Sequence, residues 1–448
     1  MGDSTTTTTP SDDVVGEVLL RLDDVATLFR CAITCKRWRR LVAEPYFILR
    51  RKWPPSLVGF FTRRCLGGGA GTTTPTDSST QLACVPWPGS TLLGTRPRAL
   101  SSFLRADDAA AAAVVDAATP LATRGGLLLV RLYLRLRDDE LKPKTFCLAP
   151  VSNPIVGLAV CNPFAGTWDV LPELDCQSRL SSSIDYGCDI LPSIARDGSP
   201  AFKVLMIGKD KDKAQYNLHT FVSGEERWRA PTKCFDMMEH QIWSMEDRKA
   251  IVCRGYAHWL FISELNQFHV LNVEIETGHV SLTKLVSPTK DWIIKSNIDD
   301  FEAALAHNQR LLDDLWYANC LQTTSNGACL SLCTYRDRRL EIWTRHQEDG
   351  NKSGDGDAEW RHTREIDHKL TELIQKLEKP SCIWSAERSG TLLIKERILE
   401  RKSLYIAHLD TGTLEEATDQ FCDYARNGIM PMEIDWPTFF MSCLNRVK

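Results

Sequence analysis

The sequence predicts an α+β multidomain protein in which an N-terminal unit of three helices precedes a large all-β, propeller-like domain with helical insertions. Three observations support this prediction. The chain has 448 residues, more than a single hydrophobic core usually serves. Amphipathic helical spacing covers residues 11–47, and paired alternating segments recur from about residue 155 onward.

The helical unit begins with the segment SDDVVGEVLLRL, whose apolar residues recur at helical spacing: Val14, Val15, Val18, Leu19 and Leu22. Ser11 or Asp12 is predicted as the N-cap, because a side-chain oxygen there can accept from the free N–H groups of the first turn. Asp23 and Asp24 interrupt the pattern and are predicted to cap a second helix, and Thr34 a third. A unit of three short helices buries little apolar surface by itself. We therefore expect a partner or the next domain to complete its core.

The third predicted helix has an apolar side and a basic side. The apolar stripe consists of Cys35, Trp38, Leu41 and Val42, and the basic side of Lys36, Arg37, Arg39 and Arg40. Pro45 ends the helix. The basic run 30–64 is nearly free of acid and could bind phosphate or an acidic protein. Because it offers charge without base-reading side chains, an acidic protein surface or plain solvation is favoured over nucleic acid.

The domain boundaries follow from changes in composition. Residues 1–10 form a threonine-rich segment that is predicted to be a disordered tail, and residues 11–50 form the helical unit. Residues 51–95 include four glycines between positions 67 and 71 and a threonine and proline tract, so they are predicted to be a linker. The propeller-like domain is predicted over residues 96–442.

Five predicted hairpins define the β domain. Their turns centre near Gly166, Gly224, Gly278, Asp337 and Gly412, mostly some fifty to sixty residues apart, which suits propeller blades with insertions. Further strands are predicted within 127–136, 201–208, 256–263 and 390–397. Helix-favouring composition predicts helical insertions at 298–321 and 369–379.

The sequence lacks the local signatures of common catalytic and cofactor sites, so we expect no enzyme, no cofactor and no metal centre. Residues 349–360 place oxygen-bearing side chains at EF-hand loop positions, but position twelve is Trp360 rather than glutamate, so a polar hairpin loop is favoured. His362 and His368 have no further ligands at metal-binding spacing. Trp168, Trp228, Trp259 and Trp343 lie in strand patterns, and we expect them to be buried.

Composition indicates an ordinary globular protein, with 43% apolar residues, 25% charged residues and a formal net charge of −4. The 16 cysteines are scattered without a CxxC pair, which favours reduced thiols in an intracellular protein of the nucleus or cytoplasm. No apolar run approaches the ~20 residues that a membrane-spanning helix needs, so no membrane association is expected.

Residues 11–47 resemble an F-box. The matching residues are Asp12-Asp13, the helix with Val14-Val15 and Glu17-Val18-Leu19, Leu28, Arg30-Cys31, the block CKRWRRL from Cys35 to Leu41, and Pro45-Tyr46-Phe47. The segments PPSLVGFF at 54–61 and CNPFAGTWDVLP at 161–172 are similar to the large plant group in which an F-box precedes an F-box-associated β-propeller-like domain.

This resemblance implies a substrate receptor of an SCF-type ubiquitin ligase, in which the F-box docks on the Skp adaptor, and through it on cullin, while the β domain selects an unknown target protein. The residues expected to form the adaptor surface are Val14, Val15, Val18, Leu19, Leu22, Leu28, Cys31, Cys35, Trp38, Leu41 and Pro45. The chain itself would be a non-catalytic subunit. Two alternatives stay open: a ligand- or sugar-binding propeller module, and nucleic-acid binding through residues 30–64.

Overall fold

A computed structural model describes 22 stretches of the chain. They are residues 10–22, 25–43, 56–65, 80–87, 96–105, 109–134, 155–174, 186–194, 200–210, 213–240, 242–245, 249–263, 268–285, 319–323, 329–336, 339–345, 360–367, 378–387, 389–397, 402–409, 411–416 and 429–434.

Helices occupy the N-terminal part of the described chain and two later sites. They are α1 Asp12–Leu20, α2 Val25–Thr34, α3 Lys36–Ala43, α4 Ala109–Asp116 and α5 Met237–His240, with a 3₁₀ helix at Leu100–Phe103. Ser11 caps α1 as predicted, because its Oγ accepts from the N–H of Val14 at 3.4 Å. The prediction for Thr34 is wrong, because its hydroxyl donates back to the carbonyl of Cys31 at 2.6 Å. Cys35 precedes α3 instead, and its Sγ accepts from the N–H of Trp38 at 3.4 Å.

Strands form the rest of the described architecture. The first group is β1 Ser56–Cys65, β2 Thr80–Pro86, β3 Arg98–Ala99, β4 Thr119–Arg124, β5 Leu127–Leu134, β6 Ile155–Asn162, β7 Thr167–Val170, β8 Tyr186–Ile194, β9 Pro200–Asp210, β10 Gln215–Val222, β11 Thr232–Asp236, β12 Ile242–Met245 and β13 Ile251–Cys253. The second group is β14 Tyr256–Ser263, β15 Phe268–Glu274, β16 Val280–Lys284, β17 Asn319–Thr323, β18 Leu330–Arg336, β19 Arg339–Arg345, β20 Trp360–Asp367, β21 Glu378–Ala386, β22 Thr391–Arg397, β23 Lys402–His408, β24 Thr413–Glu416 and β25 Ile429–Ile434.

The described strands form five four-stranded sheets and one five-stranded sheet, all with antiparallel pairing. Sheet 1 has the order β25-β1-β2-β3, sheet 2 contains β4–β7, sheet 3 contains β8–β11, sheet 4 contains β12–β16, sheet 5 contains β17–β20 and sheet 6 contains β21–β24. Sheet 1 joins the last described strand to the first, since β25 pairs with β1. Sheet 1 thus combines strands from the early and late parts of the described chain, and this pairing closes the ring of sheets.

The inner strands of successive sheets lie side by side around this ring. β25 lies against β4, β4 against β8, β13 against β17, β17 against β21, and β21 against β25. An isolated parallel bridge between Cys188 and Lys249 joins sheets 3 and 4. Separate hydrophobic clusters fill the spaces between neighbouring sheets, as face-to-face sheet packing requires. The arrangement is therefore propeller-like, as the sequence predicted.

Four of the five predicted hairpins are confirmed by the pairs β6–β7, β15–β16, β18–β19 and β23–β24. The hairpin predicted with a tight turn near Gly224 is wrong in its second strand, because residues 223–231 form a longer connection and β10 pairs with β11, which begins at Thr232. Gly166 and Gly278 have φ values of 68° and 76° in their turns, a left-handed conformation that costs glycine little. The strands predicted near 127–136, 201–208, 256–263 and 390–397 are β5, β9, β14 and β22.

The predicted linker over 51–95 needs correction. Strands β1 and β2 lie inside it and pair with each other along seven positions, from Gly59 with Pro86 to Cys65 with Thr80. The apolar run in LVGFF packs here, with Val58 and Phe61 1% and 0% exposed. The glycine-rich and threonine-rich residues 66–79, on which the linker prediction rested, lie between these strands and outside the described residues.

The two predicted helical insertions also need correction at their ends. Residues 319–321 belong to β17, and residues 378–379 belong to β21. Both ends pair with a neighbouring strand, so tertiary pairing overrides their local helix preference. The remainder of each predicted insertion lies outside the described residues, as do residues 1–9 of the predicted tail.

Candidate partner-binding surface

Helix α1 presents two apolar side chains to solvent. Val14 and Val18 are each 53% exposed, and they lie one turn apart on the same side of the helix. Among the described residues the other exposed large apolar side chains, Val170, Met238 and Tyr256, lie on separate elements. Two neighbouring exposed valines on one helix therefore form a small apolar surface that a partner can cover.

The adjacent face of α1 fixes the orientation of this surface. Val15 is 5% exposed and Leu19 is fully buried, and both belong to one hydrophobic cluster with Leu28 of α2 and Val42 of α3. The same cluster continues into sheets 1 and 2, where it includes Phe61. Since these buried side chains hold α1 against its neighbours, Val14 and Val18 are held facing outward.

An ionic clasp joins the start of α1 to α3. The carboxylate of Asp12 accepts from Nε of Arg37 at 2.6 Å and from Nη2 of Arg40 at 2.8 Å. Arg37 also donates to the carbonyl of Pro10. The hydrogen bond from Arg37 is the main cause that lowers the pKa of Asp12 below its ordinary value. Part of the basic side of α3 thus has an internal role, because two of its guanidinium groups orient α1.

The sequence-predicted adaptor residues fall into three groups by exposure. Val14, Val18 and Cys35 are exposed, and Leu22, Cys31 and Trp38 are half-buried. The remaining described members are inside the hydrophobic cluster: Val15, Leu19, Leu28 and Leu41. Pro45 lies outside the described residues. The structure therefore brings most of these residues together, but it leaves only the first two groups able to touch a partner directly.

Sequence reasoning missed the clasp and the division of α1 into two sides. Helical spacing showed that Val14, Val15, Val18 and Leu19 share a helix, but a helix with apolar residues over a wide arc does not reveal which part faces the protein. The acidic residue at the N-terminus of α1 and the arginines of α3 are 25 and 28 positions apart. The opposite charges of these residues were the one feature of the sequence that indicated an ion pair. Which residues pair is decided by the packing of α1 against α3.

The other candidate sites from the sequence are placed as follows. Trp228, Trp259 and Trp343 are buried as predicted, with exposures of 9%, 0% and 8%, whereas Trp168 is half-buried. Of the basic run 30–64, Arg37 and Arg40 are engaged by Asp12, and residues 44–55 lie outside the described part of the chain.

The described residues cover part of the segments on which the metal and membrane predictions rest. Within the described ranges, no group of three or more His, Cys, Asp or Glu side chains is placed to hold a metal ion. The EF-hand-like residues 349–359 and His368 lie outside those ranges, and the side chain of His362 is not described. Along the same ranges no helix is both long enough and apolar enough to cross a membrane.

Solved structures with a related outline have low similarity to this chain. A structure from a study of two prolyl endopeptidases is 9% identical over 91% of this chain, with a TM-score of 0.36, and this chain spans about half, 53%, of its length. A protein from Lactobacillus plantarum is 10% identical over 81% of this chain and 82% of its own, with a TM-score of 0.37. The fission yeast SREBP–SCAP binding domains are 9% identical over 70% of this chain and 84% of their own, with a TM-score of 0.31.

At these TM-scores the structural likenesses carry no argument about function. No curated protein matches the sequence. The sequence-family model of the F-box domain matches residues 11–50, which include α1, α2 and α3. Residues 11–50 of this chain are therefore an F-box domain, which precedes a β-propeller-like ring of sheets.

Proposed function

We propose that this protein is a substrate-recognition subunit of an SCF-type ubiquitin ligase. The F-box docks on the Skp adaptor, which links it to cullin, and the propeller-like ring selects a target protein. In this role the chain is a non-catalytic subunit. The observation that carries the proposal is the F-box match at residues 11–50, joined in one chain to a ring of sheets. F-box domains generally bind this adaptor.

The apolar surface of α1 supplies a specific contact for the adaptor. Val14 and Val18 are exposed in the isolated chain, so covering them with an apolar partner surface would remove them from water. Full burial of a valine contributes roughly 1.5 kcal/mol or more, and each side chain here starts about half exposed. The half-buried Leu22 and Trp38 can extend the same contact. The clasp through Asp12 supports this contact indirectly, because it holds the helix that carries the valines.

The two alternatives receive less support. A sugar-binding propeller usually needs exposed aromatic rings, whereas three of the four candidate tryptophans are buried. A nucleic-acid surface on α3 would use free guanidinium groups, whereas Arg37 and Arg40 already bind Asp12.

The proposal is tested with the double substitution Val14→Asp and Val18→Asp in the full chain. We expect adaptor affinity to fall roughly 10-fold to 100-fold, because the two carboxylates would be desolvated in the complex. The measurement is isothermal titration calorimetry with purified Skp adaptor. The thermal midpoint of the free chain should stay within a few degrees of wild type, since both side chains face solvent.

Val170→Asp is the matched control. Val170 is 49% exposed on β7, at the edge of sheet 2, so the same change of residue occurs on the ring instead of the F-box. Its adaptor affinity is expected to equal that of wild type. If the unmodified full chain does not bind the adaptor, the proposed function is wrong. If the double variant binds as tightly as the control, the contact lies elsewhere.

A further inference from the structure

A buried group of charged side chains lies where the inner strands of the ring meet. Arg124 ends β4, Asp189 lies in β8, and Glu387 follows β21 directly, so each comes from a different sheet. Their side chains are 7%, 0% and 4% exposed. Arg124 Nη2 donates to Oδ2 of Asp189 at 2.5 Å, and Nη1 donates to Oε2 of Glu387. One guanidinium group thus holds carboxylates from sheets 3 and 6.

The same group reaches two further sheets through main-chain atoms. Arg124 Nη2 also donates to the carbonyl of Ala250 at 3.1 Å, and the N–H of Val252 in β13 donates to Oε1 of Glu387 at 2.9 Å. The hydroxyl of Thr323, at the end of β17, donates to the carbonyl of Glu387 at 2.6 Å. Sheets 2 to 6 therefore meet at this group.

Sheet 1 joins the ring interior by two neighbouring contacts. The hydroxyl of Thr123, next to Arg124, donates to the carbonyl of Pro431 in β25. The N–H of Ser389 donates to Oε1 of Glu433 in β25 at 2.6 Å. Side chains thus link all six sheets on the inside of the ring, in addition to the pairing of β25 with β1.

The charges of this group balance when Lys249 is included. Lys249 is 6% exposed and forms the bridge with Cys188, the residue before Asp189. Arg124 pairs with both carboxylates and the charge of Lys249 acts on Asp189, so two buried cations balance two buried carboxylates. Burial alone would lower the pKa of Arg124, but the carboxylates of Asp189 and Glu387 outweigh burial and raise it above its ordinary value. Removing one member leaves an unpaired charge in a site from which water is excluded, which is strongly destabilising.

We propose that Arg124 is a latch that closes the ring across its axis by holding sheets 3, 4 and 6 to sheet 2. Among the described residues, backbone pairing joins neighbouring sheets only at the bridge between Cys188 and Lys249 and otherwise stays within each sheet, so it does not hold sheets 4 and 6 to sheet 2.

The test is urea unfolding of the full-length chain that carries the substitution Arg124→Met. We expect the unfolding equilibrium constant to rise roughly 100-fold or more, because Asp189 and Glu387 then stay buried without the guanidinium group that pairs with both. Arg229→Met is the matched control. Arg229 is an ion-paired arginine in the connection between β10 and β11, 2.6 Å from Glu225, but its side chain is 53% exposed, so its loss should change the constant only a few-fold.

A second variant separates a latch from a general packing defect. Adding Glu387→Gln to Arg124→Met restores the charge balance between Asp189 and Lys249, and the amide oxygen can still accept from Val252. The double variant is therefore expected to be about 10-fold less destabilised than Arg124→Met alone. Hydrogen exchange should rise most in β4, β8 and β21.

The outcomes that overturn the proposal are equally specific. Equal effects of Arg124→Met and Arg229→Met would show that the buried group does not close the ring. Additive losses in the double variant would show that packing rather than charge is responsible. If Arg124→Met alone gives no folded protein, recovery of folded protein in the double variant supports the latch, and its absence overturns the proposal.

Discussion

Gly187 allows sheets 3 and 4 to approach each other closely, and its replacement by alanine tests this packing. It lies in β8, the inner strand of sheet 3, opposite Met245 of β12 and Trp259 of β14. A Cβ added at Gly187 would lie 2.5 Å from Sδ of Met245 and 2.8 Å from Nε1 of Trp259. Trp259 is fully buried within the cluster between the two sheets, so its indole ring has little room to move.

The expected cost follows from these distances. Both are shorter than an ordinary van der Waals contact, so the methionine must change rotamer and the two sheets must separate slightly. Adding a methyl group to a well-packed core typically costs about 1–3 kcal/mol. Alanine also restricts the unfolded chain, which offsets about 0.4–1 kcal/mol. We therefore expect Gly187→Ala to lower the free energy of unfolding by about 1–2 kcal/mol.

Gly208→Ala is the control, because Gly208 lies in β9, which pairs with β8 in the same sheet. A Cβ there would have only His219 within 4 Å, at 3.9 Å. This variant is expected to match or slightly exceed wild-type stability. Urea unfolding followed by tryptophan fluorescence measures both variants. Equal stability of Gly187→Ala and Gly208→Ala would refute the close approach of sheets 3 and 4 at Gly187.

Two further predictions concern buried titratable groups. Burial, with the nearby charges of His240 and Lys284, lowers the pKa of His269 from 6.5 to about 4, so the unfolded chain binds the proton more readily. The free energy of unfolding then falls by about 2 kcal/mol from pH 7 to pH 5 because of His269. The variant His269→Gln should lack this part of the pH dependence. Identical pH dependence in the wild type and the variant would contradict the lowered pKa of His269. Burial raises the pKa of the Cys84 thiol to about 12, so this thiol should not react at pH 8 in the folded chain. Peptide mapping after iodoacetamide treatment should show that the exposed Cys35 is modified and that Cys84 is protected until urea is added. Equal modification rates at these two cysteines would show that Cys84 is accessible.

The sequence predicted the features that depend on residues close together in the chain. The N-cap at Ser11 and the turns at Gly166 and Gly278 follow from local backbone geometry, and the periodicity of two gives the strands. The ring interior could not be predicted this way. Arg124 contacts carboxylates 65 and 263 positions away, and no local pattern distinguishes these residues from surface charges.

The linker prediction failed for a related reason. The prediction rested on the composition of residues 66–79, which lie outside the described residues, whereas the flanking strands pair with each other and β1 also pairs with β25. β1 pairs with β25, 367 to 378 residues later in the chain, so its place in the ring becomes visible only when these two distant segments meet. A propeller that closes with a terminal strand hides part of its first sheet from local analysis.

The proposed adaptor contact and the residues of α1 that pack against the ring lie on adjacent faces of the helix, about 100° apart. Val15 and Leu19 belong to the same hydrophobic cluster as Phe61 and Leu128 of sheets 1 and 2, whereas Val14 and Val18 face solvent. In the proposed complex the adaptor covers Val14 and Val18, which are not members of this cluster. Effects at this contact and at well-separated sites in the ring are therefore expected to add. Gly187→Ala, which acts between sheets 3 and 4, is accordingly expected to change stability while leaving adaptor affinity at the wild-type value.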